Sequence, residues 1–97
     1  MALTPEQNKA KKVASKEKQI AKVDALLVKF NAKSDARQAL RVADMTQLSI
    51  VTDAVKRSRL EAKILKSTEM IDKYSLAITN YNSKKIVLTE ELRILNL

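Results

Sequence analysis

The sequence predicts an all-α fold: a long-helix hairpin, or a three-helix arrangement of coiled-coil character over about 5–33, 35–81 and 84–96, completed by oligomerisation. Three observations predict it. First, the 97 residues contain no glycine, the residue that normally closes tight hairpins and helix C-termini, which argues strongly against a β-rich fold. Second, Ala, Leu, Lys, Gln and Glu are abundant, and all are good helix formers. Third, a stripe recurs through Leu40, Ala43, Gln47, Ile50 and Ala54, then Leu60, Ile64, Ser67, Ile71, Tyr74, Ile78 and Tyr81. Its steps alternate between three and four residues, the spacing of a seam that packs along another helix. Arg57 falls where the next seam residue belongs, with steps of three on either side. A deletion of that kind overwinds a coiled coil locally or marks a break between two helices.

The first helix opens at Thr4-Pro5-Glu6-Gln7. Thr4 is the N-cap, Pro5 takes the first helical position, and Gln7 reaches back as a capping-box partner. Val13, Ile20, Val23, Leu27 and Phe30 then share one face, while Lys11, Lys18, Lys22, Lys29 and Lys33 share another, about 140° away at 100° per residue. Residues 1–12 have nothing to bury and read as an extended or frayed basic arm of a single helical domain. Asn31 or Ser34 supplies a cap for a second helix, which places the first turn at Ser34-Asp35.

The second helix would run from about 35 to 81, with a further apolar stripe of Leu48, Val51, Val55, Ala62 and Leu65 on another face. Two buried faces imply neighbours on both sides, as in a bundle. Asn80-Tyr81-Asn82-Ser83 reads as the next turn, because Asn tolerates the left-handed conformation. Leu88, Leu92 and Leu95 then mark a short last helix.

Composition narrows the function. With no His and no Cys, the chain lacks a group titrating near neutrality and a thiolate, and it has no Gly-rich phosphate loop. The expectation is a non-enzymatic protein with no cofactor, no metal and no small-molecule substrate. The longest apolar run, Ala25–Val28, is too short to cross a bilayer, and no secretory signal core is visible. These features predict a cytoplasmic or virion-internal protein without a membrane role.

Net charge is +8, concentrated in the first two thirds of the chain. Like charges recur at i, i+4 in Lys12/Lys16, Lys18/Lys22, Lys29/Lys33, Arg37/Arg41 and Arg59/Lys63. Each such pair costs an isolated helix about 0.2–0.5 kcal/mol, and contact with a polyanion would remove the cost and release counterions. Lys56, Arg59, Lys63 and Lys66 form a second basic stripe, and Arg41 adds a fork-shaped donor suited to phosphate or carboxylate. No base-reading module is present, so contact with nucleic acid would be with its backbone.

The expected protein is therefore a helical assembly component that self-associates through the seam of Leu40, Ile50, Leu60, Ile64, Ile71, Tyr74, Ile78 and Tyr81. It would present basic faces to nucleic acid or an acidic partner, as small viral or phage structural components do. A small inhibitor of an acidic macromolecule and a sequence-independent nucleic-acid-binding protein are the alternatives.

Overall fold

A computed structural model describes residues 2–97. Thr4 caps the first helix as its sequence implies: the Gln7 amide donates to Thr4 Oγ1 (3.1 Å) and the Thr4 amide to Gln7 Oε1 (3.0 Å). From there α1 (Pro5–Ile50) runs for 46 residues, and α2 (Ala54–Leu95) for 42. The two pack as a hairpin, and the described residues contain no strand.

The link between them is Val51-Thr52-Asp53. Asp53 caps α2, accepting from the Lys56 amide at 2.9 Å. Arg57 closes the other side: its Nη1 donates to the carbonyls of Leu48 and Val51, both at 2.8 Å. The Leu48 oxygen belongs to the last turn of α1 and the Val51 oxygen lies just past it, where carbonyls lack intrahelical partners. No described residue has a positive φ, so this link forms without the left-handed residue that glycine usually supplies.

Each helix buries one continuous stripe. Along α1 it is Val13, Lys16, Ile20, Val23, Leu27, Phe30, Ser34, Arg37, Arg41, Asp44 and Leu48, continued by Val51 just past the helix end. In α2 it is Arg57, Leu60, Ile64, Ser67, Ile71, Tyr74, Ile78, Tyr81, Lys85, Leu88, Leu92 and Leu95. Both alternate steps of three and four throughout. Writing the repeat abcdefg, Arg41 and Arg57 occupy a, and Asp44 and Leu60 occupy d.

The chain divides into two compact units. The terminal unit joins the residues up to Val28 to Thr79–Leu97. Its core is Val23 and Leu88, 3% and 5% exposed. Two cross-helix ion pairs flank that core, Lys16 with Glu91, and Lys85 with Asp24 at 2.7 Å. All four side chains keep contact with water, so each pair stabilises by about 0.2–1 kcal/mol. Arg93 donates to Glu90 through Nη2 at 2.6 Å and Nε at 3.0 Å. The Arg93 hydrogen bond holds the Glu90 carboxyl below its ordinary value. That contribution is present above the unfolded-state value and is lost as pH falls through the folded one.

The turn unit is Lys29–Ile78. Its two buried residues are serines: Ser67, 1% exposed, and Ser34, 5% exposed, which accepts from Gln38 Nε2 at 3.0 Å. Small side chains at these seam positions let the helix backbones approach closely. The Phe30 and Tyr74 rings meet at 6.1 Å between centroids, and Arg41 Nη1 donates to Thr68 Oγ1 at 3.2 Å. Among the described residues no buried side-chain nitrogen or oxygen lacks a partner.

Several expectations are corrected. Leu60, Ile64, Ile71, Tyr74, Ile78 and Tyr81 do lie in the seam, half-buried. Leu40 and Ile50 do not: they are 53% and 71% exposed, and the buried residues are their successors, Arg41 and Val51. The cause is register. The stripe that begins at Val13 and Ile20, carried forward at its own spacing, arrives at Ser34, Arg37, Arg41 and Asp44. Twelve residues of continuous pairing outweigh the local attraction of Leu40 and Ile50.

The anticipated turns at Ser34-Asp35 and Asn80–Ser83 are helical, and the boundaries 5–33, 35–81 and 84–96 give way to one break at 51–53. Cap-type residues inside a long packed helix are overridden by tertiary contacts. Of the second stripe, Leu48 and Val51 belong to the seam, whereas Val55, Ala62 and Leu65 are exposed.

Two measurements follow in urea unfolding monitored by circular dichroism. Arg57→Ala should lose about 1–3 kcal/mol, since two carbonyls at the link lose their donor. Leu88→Ala should cost about 2–5 kcal/mol, whereas Leu40→Ala should stay within about 0.5.

Candidate polyanion interface

A seam at a and d places b and e on one side of each helix, c and g on the other, and f at the back. In the turn unit the charges sort by this rule. Its ten basic residues are Lys29, Arg59, Lys66 and Lys73 at c, Lys33, Lys56 and Lys63 at g, Arg37 at d, and Arg41 and Arg57 at a. None stands at b, e or f. Of its six acidic residues, only Asp44 lies at the seam on the c/g side. Asp53 is the helix cap, and Asp35, Glu61, Glu69 and Asp72 occupy b, e or f.

In an antiparallel pair the g positions of the two helices adjoin, so both contribute to one basic side. Two open grooves run there. The first, of about 270 Å³, is lined by Arg37, Leu40, Asp44, Lys63, Lys66 and Ser67. The second, of about 220 Å³, is lined by Gln47, Val51, Lys56, Arg59, Leu60 and Lys63. Lys63 is common to both. Five cations thus surround two grooves with a single carboxylate among them. Among the described residues the ion pairs are Lys16–Glu91, Lys85–Asp24 and Arg93–Glu90, so none of the five is neutralised by an ion pair.

The expected contact residues fall into three groups. Lys56, Arg59, Lys63 and Lys66 are exposed and stand together on this side. Lys29 and Lys33 are exposed in the same unit, with Lys33 Nζ 5.6 Å from the centre of the Phe30 ring, a cation–π contact. Lys11, Lys18 and Lys22 are exposed in the terminal unit. Arg41 departs from the expectation: it sits half-buried in the seam, where its guanidinium is engaged with Thr68. Arg37 is also half-buried in the seam, at d, but it lines the first groove with Lys63 and Lys66. The sequence signal for Arg37 was the Arg37/Arg41 like-charge pair, which does not say which of the two lines a groove until the helices are paired.

The site offers fixed positive charge, amide and hydroxyl groups, and three apolar side chains, Leu40, Val51 and Leu60. Among the described residues, no group of three or more His, Cys, Asp or Glu is placed to hold a metal ion, and no helix is long and apolar enough to cross a membrane. Comparison with models of known protein families, with curated proteins and with solved structures finds no match to this chain.

Uncompensated cations on one side of a helix pair repel one another. Lys63→Gln with Lys66→Gln should therefore raise stability by a few tenths of a kcal/mol, about the size of the relieved Arg59/Lys63 i, i+4 repulsion. The readout is a higher urea midpoint with an unchanged slope.

Proposed function

We propose that this chain is a non-enzymatic helical assembly protein whose turn unit offers its basic side as the docking surface for a polyanion. The observation that carries this reading is the sorting of charge: every basic side chain of Lys29–Ile78 stands in the seam or on one side of it. A face kept only for solubility needs no such sorting, because lysines serve that purpose on any exposed surface. Holding like charges together costs stability, and a bound anion repays it.

Self-association is supported by surface area. The chain exposes 7371 Å², against about 5,600 Å² for a folded monomer of its mass. The excess of roughly 1,800 Å² exceeds the ~800 Å² that a stable interface buries per partner. Large apolar side chains stand exposed on it, Leu65 and Leu76 among them.

Two polyanion classes suit the basic side. The backbone of nucleic acid suits the cations, and the absence of an aromatic ring in either groove suits sequence-independent contact. An acidic protein surface is favoured by one specific observation: Leu40, an exposed apolar side chain, lies among the cations. Phosphates offer it nothing to pack against. A small regulator of an acidic macromolecule fits the same chemistry, and a structural role inside a viral or phage particle is the analogous assignment by size and composition.

Titration with duplex DNA separates the classes. Five phosphate contacts predict that affinity falls by about 10²–10³ between 50 and 200 mM salt, and that Lys56→Gln, Arg59→Gln, Lys63→Gln and Lys66→Gln together abolish most of that slope. A salt-insensitive affinity would remove nucleic acid, and an unchanged slope in the variant would remove this side as the contact.

A further inference from the structure

The side of the turn unit opposite the basic grooves carries the complementary chemistry. Positions b and e hold Asp35, Glu61 and Asp72, all exposed, and no lysine or arginine. Between these carboxylates lie Val42, Met45 and Leu65, which are 61%, 51% and 61% exposed. The basic side presents Leu40 in one groove with Lys63 and Lys66, Lys56 in the other, and the exposed Ile50 at a c position of the same side. Each side therefore combines charges predominantly of one sign with two or three large apolar groups.

We infer that the basic side of the turn unit docks onto the acidic side of a second copy of this chain. The inference rests on the reading of the basic side as a polyanion-binding surface and names its partner. Leu40 and Ile50 of one copy would cover Val42, Met45 and Leu65 of the next, while the lysines meet the carboxylates around that apolar centre. An interface of apolar centre and charged rim is the usual anatomy of protein association. The two sides are different surfaces of one chain, so the contact is heterologous: each copy keeps one side free, and growth continues until the arrangement closes into a ring or extends as a filament. The roughly 1,800 Å² of surface beyond that of a monomer of this mass accommodates two such contacts of ~800 Å² each.

The test uses the full chain and two charge-reversed forms. One carries Lys56→Glu, Lys63→Glu and Lys66→Glu, which turns the net charge around the two grooves negative, like that of the opposite side. The other carries Asp35→Lys, Glu61→Lys and Asp72→Lys, which leaves both sides basic. Mass is followed by sedimentation velocity at 50 and 500 mM salt. The expected result is that the unaltered chain associates at low salt and shifts towards its 10.9 kDa monomer at high salt. Each reversed form alone is monomeric with full helical circular dichroism, and an equimolar mixture of the two associates again.

A monomeric unaltered chain, or a mixture that stays monomeric while both forms are helical, overturns the inference. Continued association of the form with an acidic pair of sides overturns it too, because the acidic side would then be pairing with itself. Should a reversed form lose helix, Lys63→Gln with Lys66→Gln provides the same comparison, with association weakened about tenfold at 50 mM salt; unchanged association overturns the inference. Duplex DNA titrated into the unaltered chain distinguishes the two levels. Salt-steep DNA binding without self-association removes the second copy and keeps the polyanion-binding side, whereas the loss of both removes the side altogether.

Discussion

The structure depends on a mismatch of phase between two buried stripes. The α1 stripe ends on Leu48 and Val51, and an uninterrupted helix would continue it to Val55 and Ser58. The α2 stripe begins instead at Arg57 and Leu60, two residues late, which is about 200° further round a helix. A continuous helix would carry its two seams on nearly opposite faces, and no single neighbouring helix could cover both. A break at Val51-Thr52-Asp53 lets the stripes meet each other. Asp53 and Arg57 satisfy the backbone groups that the break exposes. Neither the cap nor the arginine would create the turn by itself; the phase slip makes the turn the lower-energy arrangement.

The same phase decides what the turn unit shows to its surroundings. Because the seam passes through Arg41, Asp44, Leu48 and Val51, the residues one position earlier, Leu40, Ala43, Gln47 and Ile50, are turned outward. Of these, Leu40 and Gln47 line the grooves with the Lys56–Lys66 stripe of α2, and the result is a mixed surface of cations and apolar groups. Had the seam run one residue earlier, Leu40 and Ile50 would be core and the grooves would lose their apolar members. The buried stripe is also economical in apolar content. Between Phe30 and Leu48 its α1 residues are Ser34, Arg37, Arg41 and Asp44, facing an α2 stripe that includes Ser67. Apolar side chains that a self-sufficient pair of helices would keep inside remain outside, where a partner can cover them.

The helical character and the α2 seam were legible in the residues, because Leu60, Ile64, Ile71, Tyr74, Ile78 and Tyr81 keep one spacing and one chemical character. The capping box of Thr4 and Gln7 was legible for the same reason: its spacing carries the mechanism. The α1 seam was not. Where its members are Ser34, Arg37, Arg41 and Asp44, apolarity points to Leu40 and Ile50 instead, and only register inherited from Val13 to Phe30 resolves the choice. The link was equally obscured. Val51-Thr52-Asp53 holds no glycine or proline, whereas Asn31–Asp35 and Asn80–Ser83 look like turns and are not. Arg57 stood out in the sequence as a residue in the wrong place, and its position at the break explains the irregularity. The basic stripe Lys56, Arg59, Lys63 and Lys66 was visible at once. Its neighbours across the groove, Arg37 above all, required the pairing of the helices.

The chain has no cysteine, so the phase of α1 can be read residue by residue. Single cysteines placed at each position from 37 to 51 would be labelled with a maleimide under native conditions, at a protein concentration low enough to keep the chain monomeric. The hairpin described above predicts slow labelling at 37, 41, 44, 48 and 51 and fast labelling at 40, 43, 47 and 50. The opposite pattern, with protection at 40, 43, 47 and 50, would contradict the seam, and with it the exposed basic side.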